Sequence, residues 1–212
     1  LVLITARRTA LKKMVIYYFF KVLFTLIYKI LFRYTVEGEH NIPRTGGVII
    51  ASNHLSYLDP ILIGISMKRQ AYYMAKASLF KNPLISWFVR IFSIPVDRES
   101  PKPSTIKEAV KILKEGRVLV LFPEGGRSRS GEIGGGKRGV AMIAAMSKAP
   151  VVPAYIEGTD RALPRGAKFI RPVRVRIVFG KPIEIQSTES SRDYQKRLAE
   201  EIMEHIRKLK MH

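Results

Sequence analysis

An unbroken apolar run, Val118–Phe122 (VLVLF), sets the tightest limit on how this chain folds. A strand that is apolar on both faces must be covered on both, which happens chiefly in parallel sheets packed between helices. Other segments agree. Val48–Ser52 (VIIAS) is a short buried-strand run, Ala71–Ala75 holds Tyr72, Tyr73 and Met74, and Ser93–Val96 and Val151–Ile156 are further strand segments. In Val173–Phe179 the apolar residues Val173, Val175, Ile177 and Phe179 alternate with Arg174 and Arg176, the two-residue period of a strand. Helical segments lie between: Ile61–Met67, Thr105–Glu115, Gly139–Ser147 and Ser190–Leu209. Thr105 and Glu108 form a capping-box pattern, Ile106, Ala109, Val110 and Leu113 share one face, and Gly116 stops the helix. Tyr194, Leu198, Ile202, Ile206 and Leu209 share a face of the terminal helix. Strands separated by helices predict an α/β fold with a largely parallel central sheet flanked by helices. There is no internal repeat and no low-complexity linker.

The first 35 residues read as a separate membrane-associating helical segment, with residues 36–212 as the α/β domain. No Gly or Pro precedes Gly38, residues 1–36 hold no acidic residue, and Met14–Phe32 is the densest apolar run, broken only by Lys21 and Lys29. Lys21, Thr25 and Lys29 recur every four residues and line up as a narrow polar stripe that Tyr17 extends. Two Lys at the centre of a transmembrane span would cost about 2.5–3.5 kcal/mol each. An interfacial helix, lysines toward phosphates and apolar face in acyl chains, is therefore preferred over a span or a core helix. A secretory signal peptide is disfavoured by the two lysines and the lack of a small-residue cleavage site. The chain begins with Leu1, so a longer native membrane segment is expected.

Thirty-seven Lys and Arg against 17 Asp and Glu give a net charge of +20 over 212 residues. Such an excess favours nucleic acid, anionic lipid or a phosphorylated substrate, and disfavours a cationic ligand. The chain has no Cys, which excludes disulfides, thiolate catalysis and Cys-based zinc sites. Its four His are scattered, so no metal centre is expected.

Chemistry-bearing residues gather after the strand segments, where open α/β sheets place their sites. Val48–Ser52 is followed by Asn53-His54-Leu55-Ser56-Tyr57-Leu58-Asp59-Pro60. In one regular helix the five-residue offset from His54 to Asp59 would turn about 140°, away from a shared face. A loop leading into a helix, with Pro near its start, can bring the two together. A carboxylate on one imidazole nitrogen fixes the tautomer and leaves the other nitrogen as a base. The plainer alternative is a loop histidine and a helix-capping aspartate. Val118–Phe122 is followed by Pro123-Glu124-Gly125-Gly126-Arg127-Ser128-Arg129, whose guanidinium groups suit bidentate contact with phosphate; the alternative is a basic surface turn. Asp97-Arg98 follows Ser93–Val96. Gly131–Lys137 fits the opening of a nucleotide phosphate loop, but Arg138 stands where Ser or Thr should hold magnesium, and the motif lies too far from a strand. A nucleotide triphosphatase is rejected, though Lys137 remains a candidate anion contact.

These stretches resemble, in order, the four sequence blocks of the glycerolipid acyltransferases, the 1-acylglycerol-3-phosphate acyltransferase group. Asn53-His54-x-Ser56-x-x-Asp59 looks like block I, Ile94–Arg98 like block II, Phe122–Ser128 like block III and Val152–Ile156 like block IV. Phe92 departs from the Gly frequent in block II, and Gly126 from the Thr frequent in block III. The resemblance implies an enzyme that moves a fatty acyl group from acyl-CoA or acyl carrier protein to the sn-2 hydroxyl of lysophosphatidic acid, giving phosphatidic acid. It implies His54 as general base and Asp59 as its orienting carboxylate, with no acyl-enzyme and no cofactor beyond the acyl donor. Arg98, Arg127 and Arg129 would hold the acceptor phosphate, with Glu124 and Gly125 placing its glycerol part or the arginines. Lys76 would stabilise the oxyanion or touch the donor. The expected partners are anionic membrane lipids and the two substrates, and the expected place is the cytoplasmic face of the cell membrane.

Three other classes compete. The first is a related acyltransferase taking another lysolipid or glycerol phosphate. The second is a hydrolase using the same pair with water. The third is a basic nucleic-acid-binding module, which the absence of a reader motif and the apolar N-terminal segment disfavour.

Overall fold

Central strands buried at nearly every residue organise the chain around a single sheet. The computed structural model describes residues 2–81, 86, 89, 93–96, 103–186, 189 and 191–211, without the side chains of 2–13 and 76. The strands are β1 (Thr35–Glu37), β2 (Val48–Ser52), β3 (Ala71–Lys76), β4 (Ser93–Val96), β5 (Val118–Leu121), β6 (Val151–Glu157) and β7 (Arg176–Phe179). The α-helices are α1 (Val2–Phe32), α2 (Asp59–Ile65), α3 (Pro103–Lys114), α4 (Gly139–Ser147), α5 (Thr159–Ala162) and α6 (Arg192–Leu209). The sheet order is β1-β7-β6-β2-β5-β3-β4. The β6–β7 pair is antiparallel and the other pairings are parallel. The expected α/β architecture with a largely parallel sheet is what forms.

Alternate residues of the central strands feed two cores. Ile49, Ala51, Leu119 and Leu121 pack with α3, α4 and α6 on one side. Val48, Ile50, Val118 and Val120 pack on the other with Leu62 and Ile63 of α2 and with Tyr28 and Phe32 of α1. Each fully buried aliphatic side chain of this kind contributes about 1.5–3 kcal/mol.

Several expectations need correction. Strand β1 was not anticipated: it is three residues long, with one half-buried side chain between two exposed ones, and so shows no apolar run. The strand expected over Val173–Phe179 begins at Arg176, opposite Glu157, the last residue of β6. Gly158 then turns the chain away in a left-handed conformation (φ 88°), leaving residues 173–175 without a strand partner on β6. Val175 bonds instead to the α1–β1 junction, donating to Phe32 C=O at 3.2 Å and accepting from Thr35 N–H at 3.1 Å. Helix α3 starts at Pro103, so Thr105 is buried inside the first turn and the Thr105/Glu108 pair is no capping box. Pro is favoured at that first position because its missing N–H would be unpaired there anyway.

The polar stripe of α1 faces outward as expected only at Lys29, which is exposed; Tyr17, Lys21 and Thr25 turn toward the protein. Tyr17 is buried and its hydroxyl accepts from Ala71 N–H at 3.2 Å, while Lys21 donates to Met67 C=O. Beside them runs an aromatic ladder, Phe20-Phe24-Tyr28-Phe32, with successive ring centroids 5.9, 5.8 and 5.1 Å apart. The outer face carries Val15, Phe19, Val22, Leu26 and Ile30, all exposed. The segment Met14–Phe32, 19 residues with mean hydropathy 1.8, is long and apolar enough to cross a membrane.

Candidate active site

β2 and β5 are parallel neighbours in the middle of the sheet, with Ala51 opposite Leu121, so the chain leaves both strands along the same, C-terminal edge. At that edge Asn53 substitutes for the backbone ladder. Its Oδ1 accepts from Ile156 N–H at 2.8 Å and its Nδ2 donates to Ile156 C=O at 2.9 Å. The main chain is thus released to turn at the next residue, His54, while remaining fixed to β6.

The loop after β5 holds His54 by its backbone on both sides. His54 N–H donates to Glu124 Oε1 at 3.0 Å, and Ser128 N–H donates to His54 C=O at 2.7 Å. The second Glu124 oxygen accepts from Gly134 N–H at 3.1 Å. The imidazole lies flat against Phe122, with centroids 4.0 Å apart and planes inclined by 22°.

Residues 55–58 form a turn rather than a helix, and this closes the five-residue offset. Asp59 opens α2 and is fully buried. Its Oδ2 lies 2.8 Å from His54 Nδ1 and accepts from Leu55 N–H at 2.6 Å and Ser56 N–H at 2.8 Å. An ionised carboxylate only accepts, so Nδ1 is the ring nitrogen that carries a hydrogen toward Asp59, and Nε2 is the nitrogen left to face other groups. Among the described residues Nε2 has no hydrogen-bond partner, and the ring lines a cavity of about 650 Å³.

That cavity is chemically divided. Arg127, Arg129 and Arg165 line it together with His54, and the Arg127 guanidinium sits 3.6 Å above the Tyr57 ring. Ile61, Gly64, Ile65, Tyr73, Phe20 and Phe24 supply apolar lining from α2, β3 and α1. Tyr73 donates to Pro60 C=O at 2.8 Å, and burial holds its phenol well above the ordinary value, so it stays protonated. Gly125 adopts a left-handed conformation (φ 72°), and a Cβ there would come 2.8 Å from the Lys137 side chain. Gly125 therefore lets Lys137 pass close to the Arg127 loop.

The structure thus brings together His54, Asp59, Glu124, Gly125, Arg127 and Arg129. Glu124 engages two backbone N–H groups rather than an arginine. Arg98 and Phe92 lie outside the described residues, as does the Lys76 side chain, although the preceding Ala75 lines the cavity. Sequence reasoning missed Asn53 as a clamp, Tyr57 as the platform for Arg127, Phe122 as the stacking partner of His54, and Arg165. The first three lie within the recognised motifs. Arg165 comes from the β6–β7 connection and had no local signal.

The family described as Acyltransferase matches residues 33–157, more than half of the 212-residue chain. The chain belongs to the acyltransferase family. The matched segment contains His54, Asp59, Glu124 and Arg127, and ends before Arg165. Among relatives, the 1-acyl-sn-glycerol-3-phosphate acyltransferase of Bacillus subtilis (strain 168) is 38% identical over 150 residues, 70% of this chain and 72% of that protein. The enzyme of the same name from Streptococcus pneumoniae is 34% identical over 149 residues, 68% of this chain and 53% of that protein. A chloroplastic 1-acyl-sn-glycerol-3-phosphate acyltransferase of Arabidopsis thaliana is 31% identical, over 72% of this chain and 44% of that protein. Among solved structures, the 1-acyl-sn-glycerophosphate acyltransferase PlsC of Thermotoga maritima superposes with a TM-score of 0.70 at 30% identity, covering 84% of this chain and 73% of that one.

Proposed function

We propose that this acyltransferase moves a fatty acyl group from an acyl thioester, on CoA or acyl carrier protein, to the sn-2 hydroxyl of lysophosphatidic acid, forming phosphatidic acid. The observation that carries the reading is the buried His54–Asp59 pair opening into a cavity with arginines beside an apolar lining. Such a cavity suits a molecule that joins a phosphate monoester to a fatty chain.

In this reading His54 Nε2 removes the proton from the acceptor hydroxyl as its oxygen attacks the thioester carbonyl. Asp59 stabilises the resulting imidazolium. The tetrahedral intermediate collapses, the C–S bond breaks, and the leaving thiolate takes the proton from His54. Substrate alcohol stands where a serine would in a hydrolytic triad, so no acyl-enzyme forms and no cofactor is required. Arg127 and Arg129 hold the acceptor phosphate, with Arg98 as a further contact and Gly125 shaping the loop. Glu124 positions His54 through its backbone. Lys76, ending β3, meets the developing oxyanion or the donor.

The exposed outer face of α1 supports a protein seated at a membrane surface, on the cytoplasmic side where acyl thioesters are available. Anionic lipids then meet the chain's excess of positive charge.

The test supplies lysophosphatidic acid with acyl-CoA or acyl carrier protein and measures products. Phosphatidic acid is the expected product. Free fatty acid with no phosphatidic acid would make the pair hydrolytic and end the proposal.

A further inference from the structure

The β6–β7 connection carries a feature that acyl transfer does not use. Arg171 N–H donates to Ala162 C=O at 2.8 Å, pinching residues 163–170 into a closed loop, with a turn in which Ala167 N–H donates to Pro164 C=O at 3.0 Å. Just before the closing residue, Phe169 is 82% exposed and Ile170 is 44% exposed. Arg165, Lys168, Arg171 and Arg174 flank this pair in the sequence, all exposed, and among the described residues none pairs with a carboxylate. An aromatic and an aliphatic side chain held in water without cover mark a contact surface, and unpaired cations around them select an anionic one.

The loop's position names the partner. Leu163 and Val173, at the two ends of the connection, pack against the same core as Phe24, Tyr28 and Phe32 of α1. Val175 donates to Phe32 C=O at 3.2 Å, tying the end of the connection to the end of α1. Arg165 lines the cavity. The loop therefore lies on the α1 side of the sheet, at the substrate cavity.

We propose that residues 163–174 form a second membrane contact, in which Phe169 and Ile170 enter the acyl boundary of an anionic bilayer while Lys168, Arg171 and Arg174 meet its phosphates. The contact complements α1 and sets the cavity against the lipid surface, where a lysolipid can enter without crossing water.

The chain has no Cys, so a Phe169→Cys variant takes a single environment-sensitive fluorophore. Lys111→Cys on α3, across the sheet, is the control. With full-length protein and vesicles of equimolar phosphatidylglycerol and phosphatidylcholine, the label at 169 should shift to the blue and be quenched by brominated acyl chains. The label at 111 should do neither. Lys168→Gln should lower the inserted-to-free ratio about fivefold, the worth of one basic residue at an anionic surface. A label at 169 that stays aqueous while the protein sediments with vesicles would overturn the proposal. So would an equal response on pure phosphatidylcholine, or a shift seen only with an acidic carrier protein, which would give the loop to a protein partner. None of these readouts depends on acyl transfer, so the loop and the proposed reaction are decided separately.

Discussion

Glu124 grips His54 by the main chain: one carboxylate oxygen accepts the His54 N–H at 3.0 Å and the other accepts the Gly134 N–H at 3.1 Å. Glu124→Gln keeps one acceptor and turns an amide nitrogen toward an N–H it cannot bond. An unsatisfied pair of this kind costs about 1–3 kcal/mol. The expected result is a fall in kcat of roughly tenfold or more with little change in acceptor KM. A raised KM at constant kcat would instead put Glu124 on the acceptor itself.

Asp59→Asn separates charge from shape. Among the described residues the Oδ1 atom of Asp59 is buried without a hydrogen-bond partner, while Oδ2 takes three donors. An Asn can leave its oxygen at the Oδ2 position and its amide nitrogen at the other. The fold should survive, and transfer should fall by about 10²–10⁴, the usual contribution of a general base. His54→Ala should fall at least as far, and a His54→Ala enzyme with near-normal turnover would remove His54 from proton transfer.

Arg127→Ala should raise the KM for lysophosphatidic acid and change kcat less. Arg127→Lys should recover only part of the loss, because a lysine lacks the planar fork that lies 3.6 Å above Tyr57. Steady-state kinetics against acceptor concentration make the measurement. Equal KM in all three enzymes would exclude Arg127 from the phosphate site.

Gly64→Ala tests the apolar lining. A Cβ at Gly64 would fall 2.3 Å from the Tyr73 hydroxyl, pushing that ring within the cavity. The variant should shift preference toward shorter acyl chains, and Tyr73→Phe in the same protein should restore part of the original preference. Competition among acyl donors of different length reads the effect. An unchanged profile would show that chains do not reach α2.

At the sheet edge, Arg176 Nε donates to Glu37 Oε1 at 2.7 Å and holds the Glu37 carboxyl below its ordinary value. A depressed carboxyl contributes stability at pH above its unfolded value and loses it as pH falls through the folded one. Glu37 is largely exposed, so the effect should stay under about 1 kcal/mol. Glu37→Gln should lower Tm slightly at neutral pH, and the difference from the parent should vanish in acid. A difference that persists at low pH would point to packing instead.

The sheet could be read from the sequence wherever strands were apolar on both sides. Val48–Ser52 folds at the expected residues, and so do the edge strand Ser93–Val96, where Ile94 and Val96 are buried, and helix Gly139–Ser147. β1 escaped because an edge strand with two exposed residues carries no such signal. Periodicity grouped Tyr17, Lys21, Thr25 and Lys29 on one face of α1 but could not say that Lys29 stays exposed while the other three turn toward the protein. A backbone carbonyl at Met67 and a backbone N–H at Ala71 accommodate Lys21 and Tyr17 against the protein, and both are tertiary facts. The His54–Asp59 pair was visible as spacing, whereas its closure depends on a turn that spacing alone did not determine. Arg165 arrives from the far end of the chain and left no trace near the motifs.

The amide of Asn53, bonded to both main-chain groups of Ile156, has a consequence for how such an enzyme can diversify. In the proposed reaction the imidazole is mounted at the end of a central strand paired on both sides, whereas the surfaces proposed to meet lipid belong to one helix and one loop at the margin. Under that reading, changes in how the protein meets lipid can accumulate at that margin without disturbing the proposed route of the proton.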